Sequence, residues 1–304
     1  MDKMYFFKKY NIDEERFERL NITWDELMRI YDDYNKRLPN YEDTAKYIAE
    51  CLNREESIHS IKYRVKDKEH LIEKIIRKMS TDSSLIFTVK NYRQNILDLI
   101  GLRALHLFKE NWVDVHRFLA DNWDFYTVPK ANYKKDDPEQ ILKLYKQYGC
   151  SLHEHRHGYR SVHYHLIIRP GRQEQIAEVQ VRTLFEEAWS EIDHHFRYSG
   201  NKDGHSPEPY LGVLNNITSN ADALASYINK LQLNEGIEEE ETPEKDLQGI
   251  TEKKTEKKME QVLEKDDAAA VVEEKDAAKK SSEESQFKVR DIYKKVQWTN
   301  QFVN

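Results

Sequence analysis

Residues 158–170, GYRSVHYHLIIRP, and 177–198, AEVQVRTLFEEAWSEIDHHFRY, decide the fold. In the first run Val162, Tyr164, Leu166 and Ile168 share one parity, and Ser161, His163 and His165 share the other. That period of two predicts a strand with one apolar face. Pro170-Gly171 breaks the run, and a second strand is predicted from about Gln175. Its Ala177, Val179 and Val181 fall on one face, opposite Glu178, Gln180 and Arg182. Thr183 with Glu186 makes a capping box, after which Phe185, Trp189, Ile192 and Phe196 recur at helical spacing. A carboxylate, an amide and a guanidinium aligned beside a core-facing stripe are arranged to hold a charged ligand. An ordinary amphipathic edge strand has the same pattern, so the alternation leaves both readings open.

Upstream, LDLIGLRALHLF (97–108) is almost continuously apolar, as a strand covered on both faces would be. Asp98 and Arg103 punctuate it, and charges in so apolar a setting need partners or a metal. Before it, Ile61, Tyr63 and Val65 alternate with Lys62, Arg64 and Lys66, placing three cations on one strand face. Like charges so placed repel, and a nearby anion would offset that cost; a solvated edge strand is the alternative. Leu71, Ile72, Ile75, Ile76 and Met79 then mark an amphipathic helix. Residues 1–55 read as a helical extension: Thr23 and Glu26 cap one helix, Pro39 closes it, and Ala45, Ile48 and Leu52 begin another. Downstream, a helix over 112–120 precedes a short strand near 125–128, and a polar connection over 130–157 holds a helix around 139–148. His153, His155 and His157 alternate at its end without the second ligand group that a zinc site shows. Residues 207–232 read as a long helix whose apolar positions, among them Leu211, Val213, Ile217 and Leu224, pack back on the domain.

Composition separates body from tail. The formal net charge is −7, but Glu235 to Glu284 alone holds 18 Asp/Glu against 9 Lys/Arg, so the rest carries +2. A slightly basic body suits nucleotides or a limited RNA contact better than broad duplex binding. Residues 234–286 read as an acidic low-complexity linker, and Val289, Ile292, Tyr293 and Val296 as a short docking helix for a protein partner within 287–304. Neither an apolar run of spanning length nor a signal-peptide layout is present, and the only cysteines are Cys51 and Cys150. A cytoplasmic protein with no membrane partner is the expectation.

Four ordered motifs resemble the synthetase domain of RelA/SpoT-type alarmone synthetases: YRVKDKEHLIEKI (63–75), DLIGLR (98–103), HGYRSVHY (157–164) and AEVQVRT (177–183) with its AWSEIDHHFRY helix. The resemblance implies an α/β fold of the α+β type, with a mixed, about five-stranded, nucleotidyltransferase-like sheet flanked by helices and a synthetase domain over 56–233. It implies a GTP diphosphokinase of the stringent response, which transfers pyrophosphate from ATP to the 3′-hydroxyl of GDP or GTP with Mg2+. Carried over, Asp98 and Glu178 become the acidic pair at the metal, with Glu178 also drawing the hydroxyl proton. Arg64 and Arg103 would sandwich the adenine, Lys66 would meet the donor phosphates, Tyr159 would stack on the acceptor base, and His163 would lie near the acceptor phosphates. Gln180, Arg182 and His194 fall at further motif positions. The sequence departs from the family where Glu154-His155-Arg156-His157-Gly158 replaces the usual Pro-Lys-x-Asn-Gly; PKAN occurs instead at 129–132, before a long insertion. That departure leaves open an adenosine nucleotide or the tRNA 3′ end as acceptor, or a non-catalytic nucleotide-sensing module. No paired His-Asp hydrolase motif appears, and assembly into homo-oligomers is a further expectation from small relatives.

Overall fold

The structure is a computed structural model describing residues 1–171, 173–198 and 208–232, all within one unit, Met1–Glu235. The acidic linker and the docking helix predicted for 234–304 lie outside the described residues. In chain order the elements are α1 (Lys3–Lys9), α2 (Glu14–Glu18), α3 (Trp24–Leu52), β1 (Ser60–Val65), α4 (Lys68–Thr81), α5 (Tyr92–Asn95), β2 (Ile100–His106) and α6 (Trp112–Asn122). They continue as β3 (Lys130–Tyr133), α7 (Glu139–Gln147), β4 (Ser151–Glu154), β5 (Ser161–Ile168), β6 (Gln175–Thr183), α8 (Leu184–Tyr198) and α9 (Glu208–Gln232).

The alternating runs around Pro170 are strands as predicted, and they pair, β5 antiparallel to β6, with Tyr164 opposite Val179 and His165 opposite Glu178. They sit inside a mixed sheet of order β1-β2-β6-β5-β3-β4, in which β2–β6 and β3–β4 are parallel. The sheet has six strands where about five were expected. The sixth is β4, in the stretch read as polar connection, and the strand expected near 125–128 is a single bridge from Phe125 to Leu166, with β3 beginning at Lys130. Four-residue strands with mixed polar sequence carry too few alternations for a period of two to show.

One face of the sheet is the core. Ile100, Leu102 and Ala104 of β2, Ala177, Val179 and Val181 of β6, and Val162, Tyr164 and Leu166 of β5 are fully or nearly fully buried there. They pack with α3, α4 and α6 in one apolar cluster that also takes in Phe6, Phe7 and Phe17 of the first two helices. Trp112 Nε1 donates to Tyr164 Oη at 3.0 Å, so the largest aromatic of this core keeps its polar edge satisfied.

Two expectations about helices need correction. Pro39 does not end a helix: α3 runs through it for 29 residues from the Thr23–Glu26 capping box. A mid-helix proline costs about 3 kcal/mol. Leu27, Ile30, Tyr34, Tyr41, Ala45, Ile48 and Leu52 form one buried stripe across it. Each large apolar side chain so buried returns about 1.5–3 kcal/mol, so the stripe outweighs the proline. The second correction concerns α9, whose apolar positions were expected to pack inward. Val213, Ile217, Leu224 and Ile228 are exposed, and the buried stripe is Leu211, Asn215 and Asp222. Phe185, Ile192 and Phe196 of α8 are likewise exposed beside the buried Trp189. A helix buries a polar stripe only where partners meet it, and those partners belong to the site.

Candidate active site

Strand pairing brings the predicted residues onto the face opposite the core. Directly paired residues project to the same side. Lys62 is opposite Arg103 and Arg64 opposite Gly101; Gly101 and Arg103 are in turn opposite Glu178 and Gln180; His163 and His165 complete the rows opposite Gln180 and Glu178. The face therefore runs from cations on β1 through carboxylate and amide on β6 to imidazoles on β5. Gly101 presents no side chain, and Arg64 lies across it.

Asp98 stands two residues before β2. Its Oδ2 is 2.8 Å from Lys66 Nζ and 2.7 Å from Lys74 Nζ, while Oδ1 is buried with no hydrogen-bond partner. Burial raises the Asp98 carboxyl, but the two ammonium groups outweigh it and hold it below its usual range. Lys74 was not among the predicted residues. It lies on α4 between Leu71-Ile72 and Ile75-Ile76, where a lysine reads as the solvated edge of an amphipathic helix. Removing one of these two cations has a signed consequence. A depressed carboxylate contributes stability above its unfolded pKa near 4 and loses it as pH falls through the folded value. Lys74→Met is therefore expected to cost about 1–2 kcal/mol at neutral pH. It should also lessen the fall in melting temperature between about pH 6 and about pH 3. A fall equal to the parent's would show that Lys74 does not hold the Asp98 charge.

Glu178 is flanked on both sides. Its Oε1 lies 3.4 Å from His163 Nδ1 and 3.7 Å from His165 Nε2, and Oε2 accepts from Gln180 Nε2 at 2.9 Å. Burial again pushes the carboxyl up, and the two imidazoles with Gln180 more than reverse this, holding it well below the usual range. Glu178 is thus ionised at neutral pH. Behind it, Gln180 Oε1 accepts from Arg182 Nη2 at 3.2 Å, so the carboxylate, amide and guanidinium read from the sequence form one bonded row along β6. His165 is a further residue that the prediction missed; Thr127 Oγ1, 2.7 Å from its Nδ1, fixes the ring beside Glu178.

Tyr159 lies at the far side of this row. Its Oη is 2.9 Å from His163 Nε2, and the Arg182 guanidinium is 5.4 Å from the ring centroid. Arg182, only 2 % exposed, also donates to Ser190 Oγ and pairs with Glu187 Oε2 at 2.8 Å. Glu187 Oε1 meanwhile meets Lys62 at 3.2 Å and Arg103 at 3.0 Å, and Arg103 pairs as well with Glu191. One face of α8 therefore ties the cationic strands to the tyrosine side. His194 follows Glu191 by three residues on that helix and is exposed.

The PKAN segment also returns to the site. Although 25 residues of insertion separate Asn132 from Gly158 in sequence, β3 pairs antiparallel with β5 and sets Lys130 opposite His163 and Asn132 opposite Ser161. Asn132 is buried and donates to Ser161 O at 3.1 Å. The insertion forms α7 and then β4, which pairs with β3 as the edge strand of the sheet, and it leaves Lys130 on the row of His163.

Could these residues hold a divalent cation? No group of three or more His, Cys, Asp or Glu side chains able to hold a metal gathers among the described residues. Two ionised carboxylates, one with a buried and unpartnered oxygen, do present hard oxygen donors of the kind magnesium takes. Donors of this chemistry suit an ion whose remaining ligands come from phosphate oxygens and water. Among the described residues no helix is long and apolar enough to cross a membrane.

The GTP pyrophosphokinase YwaC of Bacillus subtilis is 25% identical over 205 residues, 60% of this chain and 84% of that one. The crystal structure of small alarmone synthetase 1 from Bacillus subtilis bound to its product pppGpp superposes with a TM-score of 0.50 at 22% identity, over 66% of this chain and 99% of that one. It shares the fold described above. The family described as the region found in RelA / SpoT proteins matches residues 63–203, the span that carries all the predicted site residues. Over that span, this chain is similar to the RelA/SpoT family.

Proposed function

We propose that the chain transfers the pyrophosphate group of ATP to the 3′-hydroxyl of GDP or GTP. The observation that carries this reading is the division of one sheet face. Arg64 and Arg103 lie on the β1–β2 side of the ionised Glu178 and the Tyr159–His163 pair lies toward β5, while ionised Asp98, just before β2, gathers Lys66 and Lys74. Phosphoryl-type transfer asks a protein for positioning and charge neutralisation more than for covalent work.

The cationic side supports a donor triphosphate. Arg64 and Arg103 offer planar guanidinium groups for a purine, and Lys66 and Lys74 offer point charges for phosphates. Tyr159 offers a ring face to the acceptor base, with His163 and Lys130 near its phosphates. Held between the two sites, the acceptor 3′-oxygen would bond to the β-phosphorus of ATP as the bond from that phosphorus to the α–β bridging oxygen breaks. AMP leaves with that bridging oxygen. The hydroxyl proton passes to Glu178, which is ionised and hydrogen-bonded to Gln180 in position to receive it. A magnesium ion bound by Asp98 and Glu178 would neutralise phosphate oxygens during transfer.

The test is an acceptor panel. Purified protein with ATP and magnesium is offered GDP, GTP, adenosine nucleotides and bulk tRNA in separate reactions. A 3′-pyrophosphorylated guanosine nucleotide is the expected product. Label on the tRNA terminus alone, or on adenosine nucleotides alone, would reassign the acceptor, because an aromatic platform tolerates any base. No transfer to any of them would end the enzymatic reading.

A further inference from the structure

Helix α9 lies outside the region matched to the family, 63–203, yet its buried polar stripe closes on the acceptor loop. Asn215 is 2 % exposed. Its Nδ2 donates to Gly158 O at 2.9 Å, and its Oδ1 accepts from Arg160 Nη1 at 2.9 Å. These two groups flank Tyr159. Arg160 is itself fixed by Asp137, with Nε 2.8 and 2.9 Å from the two carboxylate oxygens and Nη2 2.6 Å from one of them. Asp137 Oδ2 also accepts from the backbone N of Lys134 at 2.8 Å, so it is anchored to the turn after β3. Gly158 has φ +76, a backbone that strains any other residue, and a Cβ there would lie 3.2 Å from the Asn215 amide, so a side chain would also press on this helix.

From this geometry we infer that Asn215, with Arg160 and Asp137, is a positioning unit for the acceptor nucleotide. It fixes the backbone on both sides of Tyr159 and thereby the plane on which the acceptor base stacks. The inference rests on the assignment of Tyr159 as the acceptor platform. The unit touches none of the donor-side groups Arg64, Lys66, Lys74 or Arg103, so its effect is confined to one substrate. Helix α9 can carry it because it is held independently of the loop: Trp189 Nε1 donates to Leu211 O at 2.9 Å and Thr183 Oγ1 to Asp222 Oδ2 at 3.0 Å.

The test uses the full chain with Asn215→Ala and, separately, Arg160→Lys, which keeps a cation beside Asp137 but gives up the fork that reaches Asn215. Steady-state KM values for GDP and for ATP are measured in parallel. Calorimetric affinities for GDP and for α,β-methylene ATP are measured on the same samples. Leaving a buried carbonyl unpaired predicts a rise of about tenfold in the KM and Kd for GDP, with the donor values moving less than about twofold. Donor and acceptor constants worsening together, or neither moving in a folded variant, overturns the inference. Should Asn215→Ala fail to fold, Arg160→Lys decides alone by the same criterion. Should the parent bind GDP but make no product, weaker GDP binding in the variants leaves the positioning unit standing while the transfer reading falls. A parent that binds no guanine nucleotide removes both.

Discussion

Glu178→Gln should lose about three orders of magnitude or more in kcat while still binding both nucleotides. The substitution keeps the shape of the side chain and keeps an oxygen able to accept from Gln180 Nε2, so the row along β6 can persist. What it removes is the negative charge. In the parent, His163 and His165 at one carboxylate oxygen and Gln180 at the other hold Glu178 ionised, well below the ordinary carboxylate range. A group so disposed is always ready to accept a proton at neutral pH, and an amide never is. In the proposed reading the donor contacts come from β1, β2 and α4 and the acceptor platform is Tyr159, so GDP and ATP affinities should change by less than about tenfold. Single-turnover rates and calorimetric affinities on the same sample separate the two effects. Turnover within tenfold of the parent would remove Glu178 from the chemistry; loss of binding to match the loss of rate would make it a ligand group only.

How much of this was legible in the sequence depends on the kind of signal. Strand β6 and the start of α8 could be read residue by residue, because alternation, a capping box and helical spacing follow one another without interruption. Parity alone gave which residues share a side: Glu178, Gln180 and Arg182 do, and they bond in that order. Pairing between distant strands was not legible. The sequence separates PKAN from the acceptor loop, and only the antiparallel ladder of β3 on β5 places Lys130 beside His163. Lys74 was hidden because a cation at the edge of an apolar helical stripe has the same pattern whether it meets water or Asp98. Pro39 misled because local cost was weighed without the burial that spans it. Helix α9 misled most, since amphipathic periodicity assigns apolar residues inward. There the Asn215 and Asp222 side chains instead find partners on the loop and on the α8 cap, and Val213, Ile217, Leu224 and Ile228 face outward.

That inverted helix has a consequence for stability as pH changes. Asp222 is 1 % exposed; Oδ2 accepts from Thr183 Oγ1, and Oδ1 is buried without a partner. Burial and the neighbouring Glu186 charge push its carboxyl up to about 7, against the smaller opposing influence of Lys109, Thr183 and Arg160. A raised acid favours folding only while it keeps its proton. Its contribution is complete below the unfolded pKa near 4 and diminishes as pH rises, until the folded group ionises near 7. Across that window the loss approaches about 1.4 kcal/mol per pH unit, up to about 4 kcal/mol in all. Asn at this position never ionises and can still accept from Thr183, whose hydroxyl also receives the Glu186 N–H as the α8 cap. Asp222→Asn is therefore expected to raise the melting temperature by several degrees at about pH 8 and by much less at about pH 4.5. Equal shifts at the two pH values, or destabilisation at both, would mean that Asp222 ionises in the folded chain as readily as in the unfolded one. The packing of α9 against Thr183 would then be looser than its hydrogen bonds imply, and so would the clamp that Asn215 places on the loop.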